Sequence, residues 1–238
     1  MRKIAILNFK GGTGKTTTAI NLSAALALKR QNVLVVDCDP QGSVADWLGI
    51  NPGNTFFDLL MGRVRLQDCV YQARERLNII PSDKKLALAE VRLAKQGDME
   101  KAFQKKLRAL KDYDFIFLDC PPSMSILNLN ALEYANEIFM PVSMDYLSLR
   151  GVKQVVESLP RGIEITKIIP TFFDQRTRKS REILEDLKSF FKKKVTTPIR
   201  VNVRLSECSS YHKTIFEYDP NSRGARDYQR LAKEIISG

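Results

Sequence analysis

Short apolar runs alternate with longer stretches of helical period along the whole chain. The runs Lys3–Asn8, Val33–Asp37, Leu77–Pro81, Phe115–Asp119, Glu137–Val142 and Ile163–Thr171 predict strands. Helical spacing predicts helices over Thr16–Arg30, Lys84–Lys95, Met99–Lys111, Ser123–Tyr134, Leu149–Leu159, Arg178–Lys194 and Ser222–Ile236. Phe56, Phe57, Leu59, Leu60 and Met61 read as one more packed helix. Strands that are apolar throughout, rather than at alternate positions, belong to a sheet covered on both faces. The expected fold is therefore α/β, a single domain over residues 1–238 with a doubly wound, mostly parallel sheet. Ligands of such sheets bind at the C-terminal strand ends.

The first strand runs into Lys10-Gly11-Gly12-Thr13-Gly14-Lys15-Thr16-Thr17, directly ahead of an Ala/Leu-rich helix. This satisfies the phosphate-loop pattern except that Phe9 stands where the first glycine would be. Glycines at 11, 12 and 14 let backbone N–H groups converge on an anion, and Lys15 supplies a point charge for the β- and γ-phosphates. Thr16 offers a hydroxyl to Mg²⁺. Lys10, five residues before Lys15, does not easily reach the same phosphate from within one tight turn. It is expected either in solvent or pointing at another subunit.

These residues resemble the deviant Walker A motif, K-G-G-x-G-K-[ST]-[ST], of the ParA/MinD group of ATPases. The resemblance implies that Lys10 crosses a dimer interface to the partner's nucleotide. Asp37-Cys38-Asp39-Pro40-Gln41 resembles the switch I segment of that group, which implies that Asp39 helps to position the attacking water. Taken alone, Asp39 is also a common turn former. The run Asp114–Asp119, closed by Cys120-Pro121-Pro122, resembles a Walker B strand and switch II, with Asp119 on the magnesium side. Pro170–Thr177 and Arg200–Glu207 resemble segments of ParA/Soj proteins, and Tyr218–Ala225 matches the family as well, so the likeness spans nearly the whole chain. By that likeness Asn202 contacts the adenine. Arg204 faces DNA, and Arg200 stands one residue from the position of a family arginine. Pro121-Pro122 could move with the γ-phosphate.

Composition sharpens the picture. The chain has 238 residues, 44% of them hydrophobic and 27% charged, enough to bury a sizeable core. No window of 18 residues is free of charge, so no membrane-spanning helix is expected, and Met1-Arg2-Lys3 lacks the pattern of a secretory signal. The four cysteines are scattered without a C-x-x-C pair, which reads as buried thiols in a reducing cytosol. The net charge of +11 is uneven, +8 over residues 150–238 against +3 over residues 1–149. A polyanion-facing surface in the last third follows from that asymmetry, with Arg178, Lys192, Lys193, Arg200 and Arg204 as candidate contacts to DNA phosphates.

The implied protein is a ParA-like partitioning ATPase using ATP and Mg²⁺, with Lys10, Lys15 and Asp39 in the catalytic set. The nucleotide site is expected to comprise Lys10, Gly11, Gly12, Thr13, Gly14, Lys15, Thr16, Thr17 and Asn202, with Thr16 and Asp119 on the metal. It implies an ATP-bound homodimer that binds double-stranded DNA without sequence preference and is released by hydrolysis stimulated by a ParB-like partner. Its place would be the nucleoid in the cytoplasm, without stable membrane association. Three other readings stay open: the same ATPase positioning a different cargo, a MinD-like membrane switch, and a P-loop ligase of the dethiobiotin-synthetase kind.

Overall fold

The computed structural model describes residues 1–94, 101–159 and 163–237, so the predicted helix ends at Lys95 and Met99 lie outside it. Among the described residues seven strands form one sheet: β1 (Arg2–Ile6), β2 (Val33–Asp37), β3 (Tyr71–Arg74), β4 (Leu77–Ile80), β5 (Phe115–Asp119), β6 (Glu137–Ser143) and β7 (Ile165–Thr171). Their order is β3-β4-β2-β5-β1-β6-β7, and every pairing is parallel except β3 with β4. The pattern of apolar strands has a direct structural counterpart. Ile4 and Ile6 of β1 join one hydrophobic cluster, with Val33, Val35, Phe115 and Phe117, while Ala5 joins the other, with Leu34, Val36, Ile116 and Leu118. Each buried strand thus feeds a core on both faces.

Helices α1 (Lys15–Ala27), α2 (Ser43–Leu48), α9 (Val203–Ser210), α10 (Ile215–Tyr218) and α11 (Arg223–Ser237) contribute to the first cluster. Helices α3 (Phe56–Leu60), α4 (Leu86–Ala94), α5 (Ala102–Leu107), α6 (Ile126–Tyr134), α7 (Tyr146–Ser158) and α8 (Arg178–Phe191) build the second. The chain leaves β1 towards β2 on one side, and later leaves β5 towards β6 on the other. Between these departures, at the C-terminal ends of β1 and β5, lies the crevice where such sheets bind ligands.

The strands β2 and β5 coincide with their predicted bounds. The antiparallel edge strand β3 was not expected: its Gln72 and Arg74 interrupt the apolar pattern, and its pairing with β4 is irregular between those residues. Helix α7 begins three residues earlier than predicted because Asp145 caps it, accepting a hydrogen bond from Ser148 N. Helix α8 stops at Phe191, where Lys192 turns to a positive φ of 49° and opens a short 3₁₀ turn.

Candidate nucleotide site and basic surfaces

The loop between β1 and α1 is built for an anion. Gly12 and Gly14 take left-handed conformations, φ 73° and 86°, which a residue with Cβ adopts only at a cost. A Cβ placed on Gly11 or Gly12 would meet nothing within 4 Å, so the mouth of the loop is open. Among the described residues no side chain caps the N-terminus of α1, and its first turn holds no acidic residue. The first N–H groups and the positive end of the helix dipole therefore remain for a ligand. Thr13 is buried, and Thr171 Oγ1 donates to its carbonyl at 2.9 Å, tying the loop to β7. Lys15 is 7% exposed and donates to Lys10 O at 3.1 Å. Burial pulls its ammonium below the ordinary lysine pKa, opposed by the Asp119, Cys120 and Asp39 charges.

Two carboxylates close the far side. Asp37 and Asp119 end neighbouring strands in register, and both are buried. Asp37 accepts from Asp39 N at 3.0 Å and Val44 N at 3.1 Å. Burial, and next the Asp119 charge, push its carboxyl well up. Asp119 Oδ2 accepts from Thr16 Oγ1 at 2.7 Å, while its buried Oδ1 has no partner among the described residues. Burial pushes this carboxyl up to about 7. An unpartnered buried carboxylate oxygen beside a threonine hydroxyl is a donor set that suits a hard divalent cation such as Mg²⁺, and the open loop next to it suits the phosphates that such a cation accompanies. Asp39 sits half-buried at the edge, its Oδ1 accepting from Gln41 N at 3.0 Å in the turn geometry that its sequence also suggested.

Lys10 takes a third course, neither of the two anticipated. Its Nζ donates to Asp145 Oδ1 at 2.7 Å and to Ser148 Oγ at 3.0 Å within the same chain. The pair lines an open groove of about 470 Å³ shared with Gly12, Ser143, Phe172 and Lys179. Asp145 went unremarked in the sequence. It reads as a helix cap, and nothing in spacing links it to a lysine 135 positions away.

Asn202, expected by resemblance at the adenine, lines a cavity of about 130 Å³ together with Gly14, Thr17, Phe172, Ile199 and Tyr228. Its Oδ1 accepts from Arg204 N at 2.8 Å, capping α9. Arg200 departs from its expected role as a DNA contact. Its guanidinium grips the fully buried Asp227 carboxylate through Nε at 3.0 Å and Nη2 at 2.7 Å, and its backbone N–H adds a further bond at 3.0 Å. A buried carboxylate needs such a partner, so Arg200 is held in the fold.

The remaining basic candidates do not form one patch. Arg178 is exposed and paired with Glu182 at the start of α8, whereas Lys192 and Lys193 lie past its other end, about 20 Å away at 1.5 Å per residue. Helix α8 covers one face of the sheet, whereas α9, which carries Arg204, covers the other. The face with Arg204 holds a basic stripe missed in the sequence. Arg223, Arg226, Arg230 and Lys233 are all exposed on α11, and none meets a carboxylate among the described residues. Their spacing of three, four and three residues was the available signal. A further cavity of about 580 Å³, lined by Arg30, Arg74, Arg76 and Phe216 among others, lies away from the phosphate loop.

Residues 1–168 match a family model described as an AAA domain. The chain is 40% identical over 246 residues to the chromosome-partitioning ATPase Soj of Treponema pallidum (strain Nichols), covering 99% of this chain and 97% of that one. It is 39% identical to the sporulation initiation inhibitor protein Soj of Bacillus subtilis (strain 168), covering 98% of each. Among solved structures, the septum site-determining protein MinD of Pyrococcus horikoshii OT3, complexed with Mg-ADP, superposes with a TM-score of 0.83 at 26% identity, covering 100% of this chain and 97% of that one. No helix among the described residues is long and apolar enough to cross a membrane.

Proposed function

The chain belongs to the Soj/ParA family of partitioning ATPases, and from that premise we propose that it is an ATP-driven switch: it pairs with a second copy around two bound nucleotides, coats duplex DNA as that dimer, and lets go after hydrolysis. It hydrolyses ATP and uses Mg²⁺. The observation that carries the dimeric reading is the position of Lys10. It stands on the rim of an open groove beside the phosphate loop, while Lys15 occupies the loop itself.

Within one chain, the loop glycines and the first turn of α1 hold the phosphates, and Lys15 neutralises charge at their inner end. Thr16 Oγ1 and Asp119 Oδ1 would hold Mg²⁺, directly or through water, which supplies charge neutralisation on the phosphate oxygens. Asp39, beside this group, orients the attacking water. With Asp119 assigned to the metal, rate enhancement rests on positioning and on electrostatic stabilisation, and unstimulated turnover is slow. A ParB-like partner raises it. Lys10 leaves Asp145 to meet the other copy's triphosphate, and loss of the γ-phosphate removes much of that attraction.

Contact with DNA is directed at phosphates. The α11 stripe supports this reading; Arg204, on the same face because α9 abuts Gly224 through Leu205 and Asn202, is itself paired with Glu207 and Asp219. Sedimentation with Mg-ATP tests the assembly: the wild-type chain is expected to dimerise, and Lys10→Ala to stay monomeric while still binding ATP. A Lys10→Ala chain that dimerises with ATP as wild type does would remove the role in trans.

A further inference from the structure

We infer that Phe172 is the platform on which the base of the bound nucleotide stacks; the inference rests on the ATP-site reading above. Phe172 has a left-handed backbone, φ 54°, an outlier for a bulky side chain. Both flanks hold it there. Ile199 N donates to Pro170 O at 2.8 Å, Phe173 N to Ile199 O at 3.1 Å and Val201 N to Phe173 O at 3.0 Å, while Thr171 is fastened to the phosphate loop. The conformation turns the two adjacent aromatic rings apart. Phe173 packs against the core, whereas the Phe172 side chain is left 50% exposed.

An exposed ring in a strained backbone does nothing for the core, and strain of this kind gathers at functional sites. What the Phe172 ring does touch is the nucleotide site. Its Cε2 lies 3.8 Å from where a Cβ on Gly14 would be, flat ground beside the phosphate loop. The ring forms part of the wall of the 130 Å³ cavity that also holds Asn202. That volume is well below the roughly 300–1,000 Å³ of pockets for complete drug-sized ligands, and suits one planar heterocycle with its sugar and phosphates outside. Asn202, on the same wall, spends its Oδ1 on capping α9, and its Nδ2 lies against α11, 3.2 Å from where a Cβ on Gly224 would be. The π-face of Phe172 on that wall is the contact a purine base needs for affinity.

The test is calorimetric titration of the full chain with Mg-ATP and, as a probe that has no base, Mg-tripolyphosphate. Phe172→Ala is expected to weaken ATP binding by about fivefold to a hundredfold and to leave tripolyphosphate unchanged, and Phe172→Trp to restore ATP binding. Phe172→Gly is expected to lose ATP affinity equally while melting no lower than Phe172→Ala, because glycine relieves the left-handed strain; that separates stacking from folding. Unchanged ATP affinity in Phe172→Ala overturns the inference alone, as does an equal loss of both probes. Normal ATP binding with loss of the ATP-dependent dimer overturns it too, moving the ring to the subunit interface. A wild-type chain that binds neither probe overturns the nucleotide-site reading and this inference with it.

Discussion

At the scale of single residues, the phosphate-loop motif and the end of β5 were legible in the sequence, whereas the partner of Lys10 was not. The lysine in the phosphate loop, the threonine after it and the aspartate closing β5 are adjacent in space as their motifs imply. The resting place of Lys10 was not legible, because it depends on Asp145, brought close by folding β1 beside β6. Asp145 receives hydrogen bonds from Lys10 Nζ, Ser143 Oγ, Ser148 Oγ and Ser148 N. Burial works against its charge, but these donors together outweigh burial and hold its carboxyl well below the usual carboxylate range. Its stabilising effect is therefore complete above about pH 4, the ordinary aspartate value, and fades as pH falls further towards the depressed folded value. Asp145→Asn is expected to lower stability at pH 7 by about 1 kcal/mol, a modest figure because both side chains of the ion pair are about one-third exposed. Urea denaturation checks this: the gap between wild type and Asp145→Asn should close between about pH 4 and pH 2. A gap that persists there means the charge on Asp145 is not what stabilises the pair.

At the scale of elements, long periodic segments and continuous apolar strands were legible, because burial on both faces of a sheet leaves a strong signature. Short elements were not. Helix α2 has six residues, α10 has four, and α9 has eight behind an asparagine cap, too few for a period to show. Their places are set by tertiary contact instead. Helix α9 is fixed where it crosses α11 at Gly224: a Cβ there would sit 2.7 Å from Leu205 Cγ and 2.9 Å from Leu205 Cδ1. The closer atom is a branch point and not a free end, so the two helices must separate to make room. Gly224→Ala is expected to cost about 1–3 kcal/mol in denaturant unfolding, as overpacking does. Leu205→Ala in the same chain should recover part of that loss by vacating the space. A Gly224→Ala chain as stable as wild type would show that α9 rests on α11 more loosely than the geometry implies. The crossing bears on the proposed function because Asn202, which caps α9, lines the 130 Å³ cavity.

At the scale of the whole molecule, the sequence revealed where positive charge accumulates but not on which face. Composition assigned an excess to the last third, yet folding divides those cations between the two faces of the sheet, with α8 on one and α9 and α11 on the other. Neutral pairs then remove some of them: Arg200 is spent on Asp227, and Arg178 on Glu182. What remains in one line is Arg223, Arg226, Arg230 and Lys233, which span about 15 Å at 1.5 Å per residue. A line of cations that meets no carboxylate among the described residues is suited to a run of phosphates, and each phosphate neutralised releases counterions. The dependence of DNA affinity on salt therefore counts the contacts. Random-sequence duplex with Mg-ATP-loaded protein should show a steep fall in affinity with rising salt. Arg226→Ala should lower the log–log slope by about 1 for each protomer engaged, and Arg230→Ala by the same amount. Lys192→Ala and Arg178→Ala, on the other face, should leave that slope unchanged. If the slope answers to Lys192 and not to Arg226, the nucleic acid lies along the α8 face, and the α11 stripe serves solubility alone.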